Sequence, residues 1–276
     1  MEPRAGVADQ DASVFDARHI GTGDVLYRQG RWLMAYFAGN DEVPTDCAPL
    51  YREPGYLLRI GLASSVDGLC WQRLSSEPVA APGPNEVYAG FPGLIDEGGA
   101  LYLHYTVVDP EGRHYQTRLQ QSIDGREWRA MPHPFFEVDA PPHEAGGIIT
   151  RDIVLSPEPA LGRWLMVYTA RDGRPETAER RSIGMAVSDD LLGWRRLWNE
   201  PVFTVGVRGA WDSGGVANPR LVITDNEYRL YYYGWSNDGG WSNDSAVEHP
   251  CRGIGLAIAP RGQGLGALRA WRRVAL

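Results

Sequence analysis

The chain has 276 residues, 43% of them hydrophobic, enough for one large domain or two small ones. Its formal net charge of -8 argues against nucleic acid or an anionic membrane as a partner. All 27 basic side chains are arginine, so a Schiff-base lysine, a Walker-type phosphate lysine and a Ser-Lys dyad are excluded.

In chain order, the opening MEPRAGVADQDASVF has no apolar core of a signal peptide, so a cytoplasmic location is expected. No apolar run approaches the roughly 20 residues of a membrane span. A short strand, GDVLY, then leads into a turn and an apolar, aromatic strand, GRWLMAYFAGN, from Gly30. GLASSVDGLCW follows from Gly61 to Trp71, and WQRL closes the unit. The second unit reads AGFPGLID, GALYLHYTVVD from Gly99, LQQSIDGREW from Leu119 to Trp128, and WRAM. The third reads TRDIVLS, GRWLMVYTARDG from Gly162, GMAVSDDLLGW from Gly184 to Trp194, and WRRL. The fourth reads NPRLVIT, NEYRLYYYGWSND from Asn226, the looser GLAIAPRGQGLGALRAW from Gly255 to Trp271, and WRRV. The second strands of successive units start 69, 63 and 64 residues apart.

Each unit is thus four short strands, A to D, joined by turns, and long helical patterns are absent. Four-stranded antiparallel units repeated in this way predict an all-β fold, a β-propeller, as one domain over residues 1–276. Asp67-Gly68 and Asp124-Gly125 mark tight turns between strands C and D. The acids there, Asp67, Asp124 and Asp189, are expected to hydrogen-bond their own backbone. The small residues ahead of the turn let strand C sit close to its neighbours, and Trp71, Trp128 and Trp194 are expected to pack between sheets. Cys47, Cys70 and Cys251 show neither metal-ligand spacing nor a paired framework, and no metal or cofactor is expected.

The phrases GLASSVDGLCWQRLSSEPV, SIGMAVSDDLLGWRRLWNEPVF and WDSGGVANPRLVITDNEYRLYYYGW resemble the five-bladed propeller glycoside hydrolases, the arabinanase, invertase and levansucrase group. The likeness runs from about Gly23 to Val274. It implies five blades, although four units are legible and Val14 to Thr22 could supply only a degenerate fifth. It also implies acids near the starts of successive A strands, lining a central channel. Such acids occur: Asp24 in GTGDVLY, Glu86 in PNEVYAGFPGLID, Asp152 after Arg151 in TRDIVLSP, and Asp212 in WDSGGVANPRL. Glu144, in HEAGG, competes with Glu86.

Glycosidic cleavage needs one protonated and one ionised carboxyl across the scissile bond, and crowding in one channel separates their pKa values. Asp24 is the expected base or nucleophile and Glu86 or Glu144 the acid. Asp152 is expected to stabilise charge, with Arg151 holding it ionised or binding substrate. Asp212, Asn218, His19 and His143 are candidate substrate contacts, and Trp235 and Trp241 could stack on a sugar ring. The expected partner is a small sugar or flat natural-product-like molecule. Two other readings stay open: a propeller recruited to a non-hydrolytic biosynthetic step, and a catalytically inactive binding propeller.

Overall fold

The structure, a computed structural model, describes residues 14–132, 140–174, 180–236 and 252–274. The chain is all-β, built of four-stranded antiparallel blades of the β-propeller class. It divides into two compact units, 1–133 and 134–276. The first unit holds blade 1, with strands β1 (His19–Arg28), β2 (Arg31–Gly39), β3 (Arg59–Ser65) and β4 (Gln72–Arg73). Its blade 2 comprises β5 (Ala89–Glu97), β6 (Ala100–Val108), β7 (Tyr115–Ser122) and β8 (Arg129–Ala130). In the second unit, blade 3 is β9 (Gly147–Leu155), β10 (Trp164–Arg171), β11 (Arg181–Ser188) and β12 (Trp194–Arg196). Blade 4 is β13 (Gly215–Ile223), β14 (Glu227–Trp235), β15 (Arg252–Pro260) and β16 (Arg272–Val274). Of the five blades that the resemblance implies, the described residues form four. Thr22 lies in β1, while Phe15 is buried under Tyr36, so the stretch from Val14 to Thr22 belongs to blade 1.

Each unit has a core between its two blades. In the first, Leu33, Ile60 and Leu62 of blade 1 meet Leu94, Leu101 and Leu103 of blade 2. In the second, Leu165, Ile183 and Met185 of blade 3 meet Val216, Leu230 and Tyr232 of blade 4. The two-residue period puts alternate side chains on opposite faces. Strand β10 is buried along its whole length, which accounts for its opening run of apolar and aromatic residues, 164–168.

The small residue of strand C has a definite partner. Gly61, Gly184 and Gly255 stand opposite Tyr36, Tyr168 and Tyr232 in the register of β2–β3, β10–β11 and β14–β15. A methyl group at any of them would overlap the tyrosine ring. In blade 2 the same register puts Arg118 opposite Tyr105.

The C–D turns form as expected, with one shift of register. Asp67 Oδ1 accepts the N–H groups of Leu69 and Cys70, at 2.9 and 2.8 Å, and Asp124 does the same for Arg126 and Glu127. In blade 3 the equivalent acid is Asp190, which takes Leu192 and Gly193, while Asp189 accepts from Arg163 across the blade. These N–H donors hold the Asp67, Asp124 and Asp190 carboxyls below the usual aspartate range. Each turn ends on its tryptophan, whose indole Nε1–H donates three residues back, to Gly68, Gly125 or Leu191. Trp128 packs in the core between blades 1 and 2, whereas Trp71 and Trp194 each pack beside the tyrosine of their own blade.

Candidate functional site

The predicted acids fall into two structural classes. The first lies just ahead of strand A. Glu144, in the short 3-10 turn Pro142–Glu144, accepts from Tyr168 Oη at 2.6 Å and from Arg196 Nε at 2.8 Å, and His143 Nε2 lies 3.4 Å away. Asp212, fully buried, accepts from Tyr232 Oη at 2.8 Å and Arg273 Nε at 2.7 Å. Asp16, which the sequence did not single out, makes the same pair with Tyr36 (2.9 Å) and Arg73 (3.0 Å). Three blades therefore carry one clamp: an acid before strand A, a tyrosine on strand B and an arginine on strand D.

Blade 2 builds a variant of the clamp. Glu86 accepts from Arg118 Nη2 at 2.7 Å and from the Gly83 N–H at 2.7 Å. Its cation comes from strand C, because Ala130 occupies the strand-D position that holds Arg73, Arg196 and Arg273 elsewhere. The nearby Tyr105 Oη accepts from Gln120 at 3.2 Å.

Electrostatics follow this geometry. Burial works to raise the Glu144 pKa, but hydrogen bonds from His143, Arg196 and Tyr168 outweigh it and hold the carboxyl below its ordinary value. Tyr232 is pushed up to about 12, chiefly by burial and then by its bond to Asp212. Tyr36 and Tyr168 are raised for the same reasons, burial first and their acid second. Glu144 and Asp212 are thus both buried and paired with an arginine and a tyrosine of their own blade.

The second class lies inside strand A. Asp24 and Asp152 occupy the same register position in β1 and β9, opposite Ala35 and Val167. Asp24 Oδ2 accepts the Leu94 N–H of blade 2 at 3.0 Å, and Asp152 Oδ2 accepts the Leu221 N–H of blade 4 at 2.7 Å. Each thus joins its strand A to the strand A of the next blade in its unit. The cation beside Asp152 is Arg220 of β13, 3.1 Å away, and not Arg151. Neighbours in a strand face opposite ways. Arg151 is buried on the other side and donates Nη2 to the Ile149 carbonyl at 3.1 Å.

All four A strands carry a bulge. The register shifts at Thr22/Asp24 in β1, Gly90/Gly93 in β5, Tyr168/Ala170 against β9, and Ala217/Arg220 in β13. Bulges re-aim side chains and gather at functional sites. At two of them a residue before proline holds a left-handed backbone: Phe91, with φ of 53°, and Asn218, with φ of 50°. Neither is glycine, so the surroundings must enforce the conformation. At Asn218 the enforcement is visible: its N–H donates to Thr169 Oγ1 at 2.9 Å, and that oxygen lies 2.8 Å from Thr150 Oγ1. The side chain of Asn218 is left exposed.

Around Phe91 the first unit assembles an aromatic wall that the sequence reading missed. Phe37 and Tyr88 lie 5.5 and 6.2 Å from its ring, and Tyr51 and Tyr115 each approach Tyr88. The Phe-Pro step resembles the Asn-Pro step of blade 4 and was the available signal. His19 is exposed at the start of β1, with its ring against Gly55 of the B–C connection. Trp235, expected to stack on a ligand, is buried against Gly215, with the Arg181 guanidinium 5.4 Å from its ring centre. Its ring packs within the second unit because Gly215 leaves room for it. Trp241 lies outside the described residues.

No family profile matches the sequence. It is similar to the 1,2-beta-oligomannan phosphorylase of Thermoanaerobacter sp. (strain X514), 24% identical over 84% of this chain and 68% of that protein. Among solved structures, a glycosyl hydrolase from Bacteroides ovatus matches with a TM-score of 0.64 at 18% identity, over 93% of this chain and 70% of the other. The beta-1,2-mannobiose phosphorylase of Listeria innocua matches with a TM-score of 0.56 at 13% identity, over 91% and 78% of the two chains.

Proposed function

On the premise that this chain has the fold of the β-propeller glycoside hydrolase-like superfamily, we propose that it is an enzyme that cleaves the glycosidic bond of a small β-linked oligosaccharide, with a mannoside as the first candidate. The observation that carries this is the likeness to an oligomannan phosphorylase, which spans 84% of the chain and so exceeds any single blade. Within the second unit, the bulged A strands of blades 3 and 4 frame the proposed site, with Asn218 as a sugar contact. There Asp152 accepts from the Leu221 N–H and faces Arg220, an environment that suits an ionised carboxylate acting as base or charge stabiliser, and Asp24 has the equivalent backbone bond in the first unit. In a chain without lysine, an oxyanion co-substrate would fall to arginine, and Arg151 and Arg171 are buried on strands A and B of blade 3.

The test is incubation with β-1,2-mannobiose, with and without inorganic phosphate. Release of mannose 1-phosphate assigns a phosphorylase, and release of mannose alone assigns a hydrolase. Asp152→Asn is expected to lower kcat by about 100-fold or more, the usual scale for loss of a proton-transfer group. A thermal melt of the same variant separates that loss from a failure to fold.

A second reading is favoured by one specific feature. Each candidate carboxylate of the predicted site is tied to a backbone N–H, an arginine or both. A binding propeller without catalysis has that character. Saccharide binding that survives Asp24→Asn and Asp152→Asn, with no turnover of any glycoside, would support it.

A further inference from the structure

The first unit contains a cleft of about 980 Å³ between blades 1 and 2, lined by Trp32, Trp128, Arg31, Arg126 and Glu77 among others. It opens where the A–B turn of blade 1 and the C–D turn of blade 2 meet. The Phe91 bulge belongs to the early part of its strand, and neither Phe91 nor its aromatic wall lines the cleft. The volume is at the upper end of what small-ligand sites enclose.

Two features give the cleft a chemistry. The first is a pair of indoles. Trp128 is fixed by its Nε1–H bond to the Gly125 carbonyl, at 3.3 Å. Trp32 is 37% exposed, large for a tryptophan, and its ring is steadied edge-on by Tyr27 at 5.0 Å. Fixed aromatic faces beside serine hydroxyls, here those of Ser64 and Ser75, suit the alternating apolar and hydroxylated surface of a sugar.

The second is charge. Arg28 is already paired with Asp96 at 3.2 Å, and Asp124 is saturated by its turn. Arg31 and Arg126 have no ion-pair partner among the described residues, and the acids of the lining are Glu77 and Asp124. The lining thus holds the guanidiniums of Arg28, Arg31 and Arg126 against the carboxylates of Glu77 and Asp124. Guanidinium groups recognise carboxylates by paired, planar hydrogen bonds.

We propose that this cleft is a second saccharide-binding site, specific for an acidic oligosaccharide whose carboxylate is read by Arg31 and Arg126 while a sugar ring stacks on Trp32. The proposal does not depend on turnover at the A-strand bulges.

It is tested by calorimetric titration of the full chain with trigalacturonic acid and, as the neutral control, mannotriose. The expected result is saturable binding of the acidic trimer. That binding weakens at least tenfold in Trp32→Ala and in Arg31→Gln/Arg126→Gln, and it falls as salt is raised from 50 to about 500 mM, because exposed charge contacts are screened. The residues changed are all surface side chains, and circular dichroism confirms that each variant is folded. No binding of the acidic trimer, equal binding of the neutral trimer, or binding undiminished in both variants would each overturn the proposal. Asn218→Ala is expected to leave this binding unchanged even where it abolishes activity, so the two sites are scored separately.

Discussion

Glu144 shows how the partners of one buried side chain escape a sequence reading that finds the side chain itself. Its acidity, its place before a strand A and the neighbouring His143 were all legible. Its partners were not: Tyr168 lies 24 residues away and Arg196 lies 52 away. Only superposing the repeats brings out the same trio in blades 1 and 4, at separations of 20 and 57 and of 20 and 61 residues. The Asp189/Asp190 slip has a simpler origin. The Ser-Asp-Asp sequence offers two acids to one turn, and the hydroxyl of Ser188 selects the second. Since the folded Glu144 pKa is depressed, its contribution to stability is complete above the unfolded value of about 4.3 and is lost as pH falls through the folded value. Glu144→Gln should therefore be less stable by about 3 kcal/mol at pH 7, since it leaves Arg196 without its counter-charge. It should also show a shallower loss of stability below pH 4.5. Urea denaturation across pH 3 to 7 measures both.

Among the strands, the periodic part of the structure was readable and the irregular part was not. The repeated phrases located all four strands of each blade, because apolar strands between turns leave a strong pattern. The A-strand bulges depend on one extra residue per strand, which periodicity does not register. Asn218 was picked out for its polarity and Phe91 was passed over, although both precede proline and both adopt the same backbone. Blade 2 supplies the sharpest test of the clamp. Its Arg118 stands where the other blades have glycine, and its Ala130 stands where they have arginine. Arg118→Gly should cost about 1 to 2 kcal/mol, a figure already reduced for partial exposure. Adding Ala130→Arg should recover more than half of it. Thermal melts of the single and double variants decide the matter: if the second change recovers nothing, the strand-D arginine is not an equivalent of Arg118.

For the molecule as a whole, composition and repeats were enough for the β-propeller class, while the chemistry sits in contacts between strands far apart in sequence. Asp24 and Asp152 illustrate the difference. Each was found from its position near a strand A, and each turns out to accept a backbone N–H of the following blade, 70 and 69 residues on. Replacing either by alanine leaves a buried N–H without its acceptor, worth about 1 to 3 kcal/mol. The loss should be larger at Asp152, which also faces Arg220. Chemical denaturation of the two variants side by side gives the comparison, and equal losses would mean that the guanidinium adds nothing.

The arginine of blade 2 also limits how freely these repeats can be shuffled. A hybrid of blade 2 that took its fourth strand from blade 3 would press two guanidiniums onto Glu86, and one that took its third strand from blade 3 would leave that carboxylate with none. Recombination between these blades is therefore restricted to exchanges that move both strands together.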